Sequence, residues 1–302
     1  MAKWITIALI LENYNNLALN NLKSNPVVFN DVCLKGIYGW IKDKDILKYL
    51  SYTNKKEVKD SRCMFVSEYE ANSLNDPDLS WKGDKPRGKQ QVALEKIKIC
   101  NLALWLSQPS PLGFHLVFHI DADKKATRQS LTTPLIRHHA RDAKKYHSKD
   151  DFVETKQIYK SILNLKRDNS LWLANKTLFE ALTSNSWETR FLLFWIVLET
   201  LFGASSEVTY RISHRIGFFL SSDRGEAKKI CAKVKNCYSW RSKIVHGMRG
   251  KLKESESEEV LYNTERFARD ALLKILRNNY LSKVFSGGEN QRGKFLDSLI
   301  FV

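Results

Sequence analysis

The apolar positions change their period part way along the chain, and that change gives the first outline of the fold. Up to about residue 150 the pattern is heterogeneous. Trp4 to Leu22 fits helix or strand, Asp43 to Tyr52 places Ile46, Leu47 and Leu50 at helical spacing, and Met64–Tyr69 reads as a short strand. Pro77, Gly83, Pro86 and Gly88 mark Asn75–Lys89 as an exposed loop. Val92, Leu94, Ile97, Ile99, Leu102 and Leu106 predict an amphipathic helix over Gln91–Leu106, stopped by Pro109 and Pro111. Strict alternation over Leu112–Asp121 then predicts a strand. One face carries Leu112, Phe114, Leu116, Phe118 and Ile120, and a solvated face carries His115, Val117, His119 and Asp121. The polar stretch from Asp121 to Asp150 reads as a basic connection between domains.

Beyond Asp150 the pattern is helical throughout. Phe152–Leu165 and Leu171–Leu182 have helical apolar spacing, and Ser186 is the expected N-cap of a strongly apolar helix ending at Gly203, the expected residue just past its end. Tyr210–Leu220 and Glu226–Val234 read as two further helical segments leading to Tyr238–Gly247, and Glu256–Leu281 as a long closing one. Ser286–Arg292 reads as a loose, Gly-rich tail, followed by a docking stripe of Phe295, Leu296, Leu299, Ile300 and Phe301. The expected fold class is mainly α: a mixed α/β domain of unknown role over 1–150, a helical bundle over 151–285 and a C-terminal tail over 286–302.

Composition and charge narrow the function. The 302 residues carry 49 Lys+Arg against 33 Asp+Glu, a formal net charge of +16. The two halves share that excess evenly, so it is no basic tail but a field that draws polyanions, nucleic acid first and anionic membrane second. Five widely spaced cysteines with no Cys-x-x-Cys pair argue against a disulfide framework and a thiolate zinc site, and point to a reducing cytoplasm. The longest apolar run, Phe191 to Leu198, is far short of the roughly 20 residues that cross a bilayer, so no spanning helix is expected, and RNA rather than membrane is the expected partner. Lys3 with Trp4–Leu11 only loosely imitates a secretory leader. No Gly-x-Gly-x-x-Gly or Walker-type loop is present.

Two polar residues stand in apolar settings. Glu199 lies in a helix apolar nearly all round, where a lone carboxylate costs several kcal/mol unless a cation or strong donors meet it; the alternative is a gap facing solvent. In Tyr238–Gly247, helical spacing aligns Arg241 with Cys237, Ile244, Val245 and Met248, a stripe where arginine seldom goes without an anion. His246 follows five positions on, rotated about 140° and displaced about 7.5 Å on an ideal helix. A guanidinium fork for phosphate oxygens and an imidazole that exchanges protons near neutral pH are what metal-free RNA cleavage needs. The pair Arg141 and His147, one residue wider and in a polar segment, is a chance match. His115, His119 and Asp121 are a weaker candidate metal set.

The order and spacing of Phe194-Trp195-Ile-Val-Leu-Glu199-Thr-Leu-Phe202-Gly203, Ile212-Ser-His-Arg215-Ile216 and Tyr238-Ser-Trp-Arg241-Ser-Lys-Ile-Val-His246-Gly247 resemble the HEPN superfamily, and within it the ApeA-like HEPN proteins. The resemblance covers about 170 to 280. It implies a helical bundle that forms a homodimer, two Arg/His pairs lining one cleft, and a metal-independent endoribonuclease of prokaryotic anti-phage or toxin-type defence that needs no cofactor. By that analogy Arg241 holds and polarises the scissile phosphate, His246 serves in acid–base catalysis and Glu199 orients Arg241. Ser242 departs from the Asn, Asp or His found after the arginine in many active relatives. Tyr238 is a candidate hydrogen-bonding group at the cleft, and Lys243, Arg215 and Arg249 are candidate contacts to RNA, Arg215 alternatively a partner for Glu199. A non-catalytic RNA-binding or scaffold protein with the same bundle is the competing reading.

Overall fold

The computed structural model describes residues 2–10, 25–42, 50–73, 76–78, 88–110, 113–121, 127–131, 147–203, 207–248 and 254–300. Among them the protein is mostly helical, with ten α-helices and a small antiparallel sheet. The chain divides into two units, 1–163 and 164–302.

The first unit is built on six strands: β1 (Ala2–Ile10), β2 (Val27–Phe29), β3 (Val32–Gly36), β4 (Cys63–Ala71), β5 (Phe114–Asp121) and β6 (Thr127–Leu131). They lie in the order β2-β3-β4-β1-β5-β6 with every pairing antiparallel. The β-branched run Ile5-Thr6-Ile7 sits at the sheet's centre, Ile7 facing Val66 of β4 and Phe118 of β5. Because side chains alternate along each strand, one face collects Ile5, Ile7, Leu9, Met64, Val66, Leu116, Phe118 and Ile120, together with Val58 of helix α1 (Tyr52–Asp60). Ser51 caps α1, its hydroxyl accepting from the Asn54 N–H; residues 43–49 of the predicted Asp43–Tyr52 helix lie outside the described residues.

Helix α2 (Lys89–Ser107) packs against β4, β1 and β3. It is buried on every side from Ile99 to Ser107, more deeply than an amphipathic pattern implies, because a second layer covers it. That layer is α3 (Lys149–Leu163), whose Thr155 Oγ1 lies 2.8 Å from Ser107 Oγ and whose Tyr159 hydroxyl donates to Asp31 Oδ1 at 2.6 Å. The boundary expected at 150 therefore moves to 163: α3 buries Ile158, Tyr159 and Ile162 within the sheet unit and is no part of the C-terminal bundle. The supposed connection between domains also contributes β6 to the sheet. The face of β5 expected to be solvated is buried as well. His119 and Asp121 are 6% and 5% exposed, and His119 Nδ1 lies 2.8 Å from Thr6 Oγ1. The His115 side chain and most of the Asn75–Lys89 loop lie outside the described residues.

The second unit contains α4 (Ser170–Thr183), α5 (Trp187–Phe202), α6 (Val208–Leu220), α7 (Arg224–Val245), α8 (Glu254–Arg277), α9 (Asn279–Ser286) and α10 (Glu289–Ser298). Helices α4 and α5 pack as one pair and α6 and α7 as another, with α8 against α5, α6 and α7. Phe191, Phe194, Trp195, Val197, Leu198, Leu201 and Phe202 of α5 are fully buried, and Phe202, Phe219 and Phe285 meet as rings 5.3 to 5.9 Å apart. Ser186 caps α5, its hydroxyl accepting from the Thr189 N–H. Gly203 ends that helix with φ −51°, so its glycine serves close approach rather than a left-handed turn: a Cβ there would lie 2.4 Å from the Glu199 carbonyl oxygen.

Three expectations are corrected here. The two segments expected between 226 and 247 are one continuous 22-residue helix, α7. The long closing segment breaks at Asn278, whose side chain accepts from the Tyr280 and Leu281 N–H groups and starts α9. The tail is not loose: 289–298 is helical, with Leu296 fully buried.

Candidate functional site

Helices α5 and α7 run in the same direction where they meet, and two successive contacts join them. The Trp195 and Tyr238 rings meet edge to face with centres 5.2 Å apart, and one turn further Arg241 Nη2 lies 3.2 Å from Glu199 Oε1 and 3.4 Å from Oε2. The guanidinium carbon also stands 5.8 Å from the centre of the Tyr238 ring. Glu199 and Arg241, 42 positions apart in sequence, thus form one charged cluster beside two aromatic rings.

Glu199 is not sealed in the core. Its side chain is 27% exposed and that of Arg241 28%. One side of α5, along Leu192, Leu193, Ile196, Glu199 and Thr200, remains open, with Ile196 44% exposed. The carboxylate also sits in the last turn of α5, at the negative end of the helix dipole, where a neighbouring cation offsets an unfavourable field. At this exposure the pair adds less than about 1 kcal/mol to stability. Its main effect is to aim the guanidinium.

His246 closes α7 as its C-cap residue and is exposed. A glycine turn fixes its backbone: Gly247 takes φ +68°, its N–H donates to the Ile244 carbonyl at 3.1 Å, and the Met248 N–H donates to the Lys243 carbonyl at 2.8 Å. Only glycine adopts that φ without a Cβ penalty, which is why His-Gly ends this helix. Ser242 accepts the His246 N–H on its carbonyl at 3.1 Å. Lys243 is half-buried, and Arg249 lies outside the described residues. Val245 and Met248, 50% and 45% exposed, extend the apolar surface past Arg241. Cys237, one turn before Arg241, is no nucleophile at neutral pH, because burial pushes its thiol up to about 11.

Arg215 is a correction. It neither pairs with Glu199 nor faces solvent for RNA. At 4% exposure it turns inward, where Nε donates to Asp297 Oδ1 at 2.9 Å and Nη1 donates to the Phe202 carbonyl at 3.1 Å and to the Gly203 carbonyl. It therefore satisfies the last carbonyls of α5 and fastens α10 to α6. Burial and the Arg215 charge lower the pKa of neighbouring Arg292.

Sequence reasoning missed Asp297, although an acid set among Phe295, Leu296 and Leu299 was a signal. It also missed the part-buried pair of Arg190 Nη2 and Glu265 Oε2, 3.2 Å apart between α5 and α8, which no local pattern announces. His147, read as a chance match, is 2% exposed and stacks on Phe152 at 5.8 Å between ring centres. Among the described residues no group of three or more His, Cys, Asp or Glu could hold a metal ion, and no helix is long and apolar enough to cross a membrane. No protein-family model matches the chain, and no curated protein or solved structure matches it.

Proposed function

We propose that the protein is a metal-independent endoribonuclease of the HEPN type, acting as a homodimer in prokaryotic anti-phage or toxin-type defence. The observation that carries this reading is the convergence of Glu199 on Arg241, one turn from a histidine held at a glycine-capped helix end. In the proposed reaction Arg241 binds the scissile phosphate and stabilises the charge that develops at phosphorus. His246 relays the proton between the attacking ribose 2′-hydroxyl and the 5′ leaving oxygen, giving a 2′,3′-cyclic phosphate and a 5′-hydroxyl end. Tyr238 packs beside the guanidinium, and Lys243 and Arg249 stay close enough along the chain to serve the RNA backbone.

The homodimer draws support from the apolar surface around the pair. Ile196, Val245 and Met248 are large, exposed and grouped about Glu199 and Arg241, as at an interface that brings two such sites face to face. The competing reading, a non-catalytic RNA-binding or scaffold protein, is favoured by one fact: Arg241 already has a carboxylate partner and needs no phosphate to satisfy it.

The decisive experiment incubates the purified protein with total cellular RNA in excess chelator and maps the ends of the products. Cleavage that persists with cyclic-phosphate ends supports the nuclease. Salt-dependent binding without turnover supports the scaffold, and products with 3′-hydroxyl ends reject the mechanism. Glu199→Gln is expected to lower kcat about tenfold, the cost of freeing one long side chain, while KM stays level or falls because a negative charge beside the phosphate is gone. Steady-state kinetics separate the two effects.

A further inference from the structure

We propose that α6 and α7 carry a track for single-stranded RNA that leads away from His246, with Tyr210 stacking a base and Lys235 holding the backbone. The inference deepens the nuclease reading and rests on it for the direction of the strand.

Tyr210, His214 and Phe218 recur every fourth residue on α6, which places them one above another on a single face. Their rings form a ladder: Tyr210 and His214 are 4.0 Å apart centre to centre, and His214 and Phe218 are 6.4 Å apart with planes within 13°. Tyr210 at its outer end is 54% exposed and leaves ring surface open to a planar partner. Lys235 of α7 is exposed, with its ammonium 5.5 Å from the Tyr210 ring centre. The two helices come together closely because Gly217 has no side chain: a Cβ there would lie 2.4 Å from Cys231 Sγ. The ladder thus stands directly beside the lysine face of α7.

That face leads to the site. Eleven residues separate Lys235 from His246, about three helical turns, so the two positions differ by only about 20° around the axis and about 16 Å along it. Ser239 and Ser242 lie between them on the same line, and Lys228 lies two turns before Lys235. From Ala227 to Met248 there are six lysines and arginines and no carboxylate; Lys228 and Lys235 lie on this line, while Lys229 pairs with Glu226 and Arg241 with Glu199. On α6 the only neighbouring acid is the cap residue Glu207, 3.9 Å from Arg211. A polyanion is the complementary occupant of such a surface, and exposed rings beside lysines are how unpaired bases are held without regard to sequence.

The test uses the full chain with His246→Ala, so that RNA is not consumed, and reads the fluorescence anisotropy of a labelled oligouridine and of a labelled RNA duplex. Tyr210→Ala is expected to weaken oligouridine binding about tenfold or more, Tyr210→Phe to restore it, and the duplex to bind weakly throughout. Lys235→Ala is expected to lower the slope of log affinity on log salt by about 0.7. Unchanged oligouridine affinity in both Tyr210→Ala and Lys235→Ala overturns the track, whether or not the wild type cleaves RNA. Unchanged affinity with loss of the dimer assigns the ladder to a protein contact and overturns it too. Should the wild type bind oligouridine through these residues and never cut RNA, the track stands and the nuclease reading falls.

Discussion

Alanine at His246 is expected to reduce RNA cleavage by at least about a hundredfold, since a positioned acid–base group contributes that much or more. On the proposed mechanism Arg241→Ala is expected to do the same, by removing the charge assigned to meet the developing oxyanion. Neither change should unfold the protein. The His246 ring is exposed at a helix end whose capping bonds are all made by backbone, and the Arg241–Glu199 pair is open enough to add little to stability. Initial cleavage rates read beside thermal melts check both statements together. Full activity in both variants removes the site. Equal losses in the double variant and in each single one identify the two groups as one unit.

Arg215→Ala is expected to act in the opposite way, with a large loss of stability. The substitution strips a buried guanidinium from the end of α5 and leaves two carbonyls and Asp297 without their donor. Asp297, 38% exposed, can turn to water, but the carbonyls left short of a donor cost about 3 kcal/mol between them, equivalent to a fall in Tm of about 10 °C for a unit of this size. Arg215→Lys should recover only part of the loss, because an ammonium cannot reproduce the planar fork that reaches three acceptors at once. Calorimetry measures the shift. RNA affinity read well below the transition should be unchanged, and a variant that melts normally but loses RNA would return Arg215 to the binding surface.

Much of the fold was legible where local chemistry decides the outcome. Ser186 in front of an apolar run marked the start of α5, and the alternation before Asp121 marked β5, because caps and side-chain period are properties of a few neighbouring residues. The continuity of α7 was less legible, since Lys- and Asn-rich sequence between two apolar patches looks like a break until a neighbouring helix supplies the packing. The placement of α3 could not be read at all: its apolar stripe fits a bundle as well as the back of α2. At the site, the need of Glu199 for a cation was visible in sequence, and so was Arg241 on an apolar stripe. That they meet depends on the relative rise of two helices. The inward turn of Arg215 followed from an acid 82 residues away. An apolar helix such as α5 also cannot announce which of its sides stays open, for leucine and isoleucine look alike whether they meet a neighbour, a second copy or water.

The turn at Gly247 has a mechanical consequence. With the main chain tied down on both sides, the imidazole beside it keeps only rotation about its own two bonds, a short swing from a stationary pivot. In the proposed reaction, a proton carrier mounted in this way is aimed by whatever approaches it. Stiff, paired strands cannot bend their sugars toward such a fixed post, whereas slack ones can, so the compliance that the proposed reaction requires would reside in the nucleic acid.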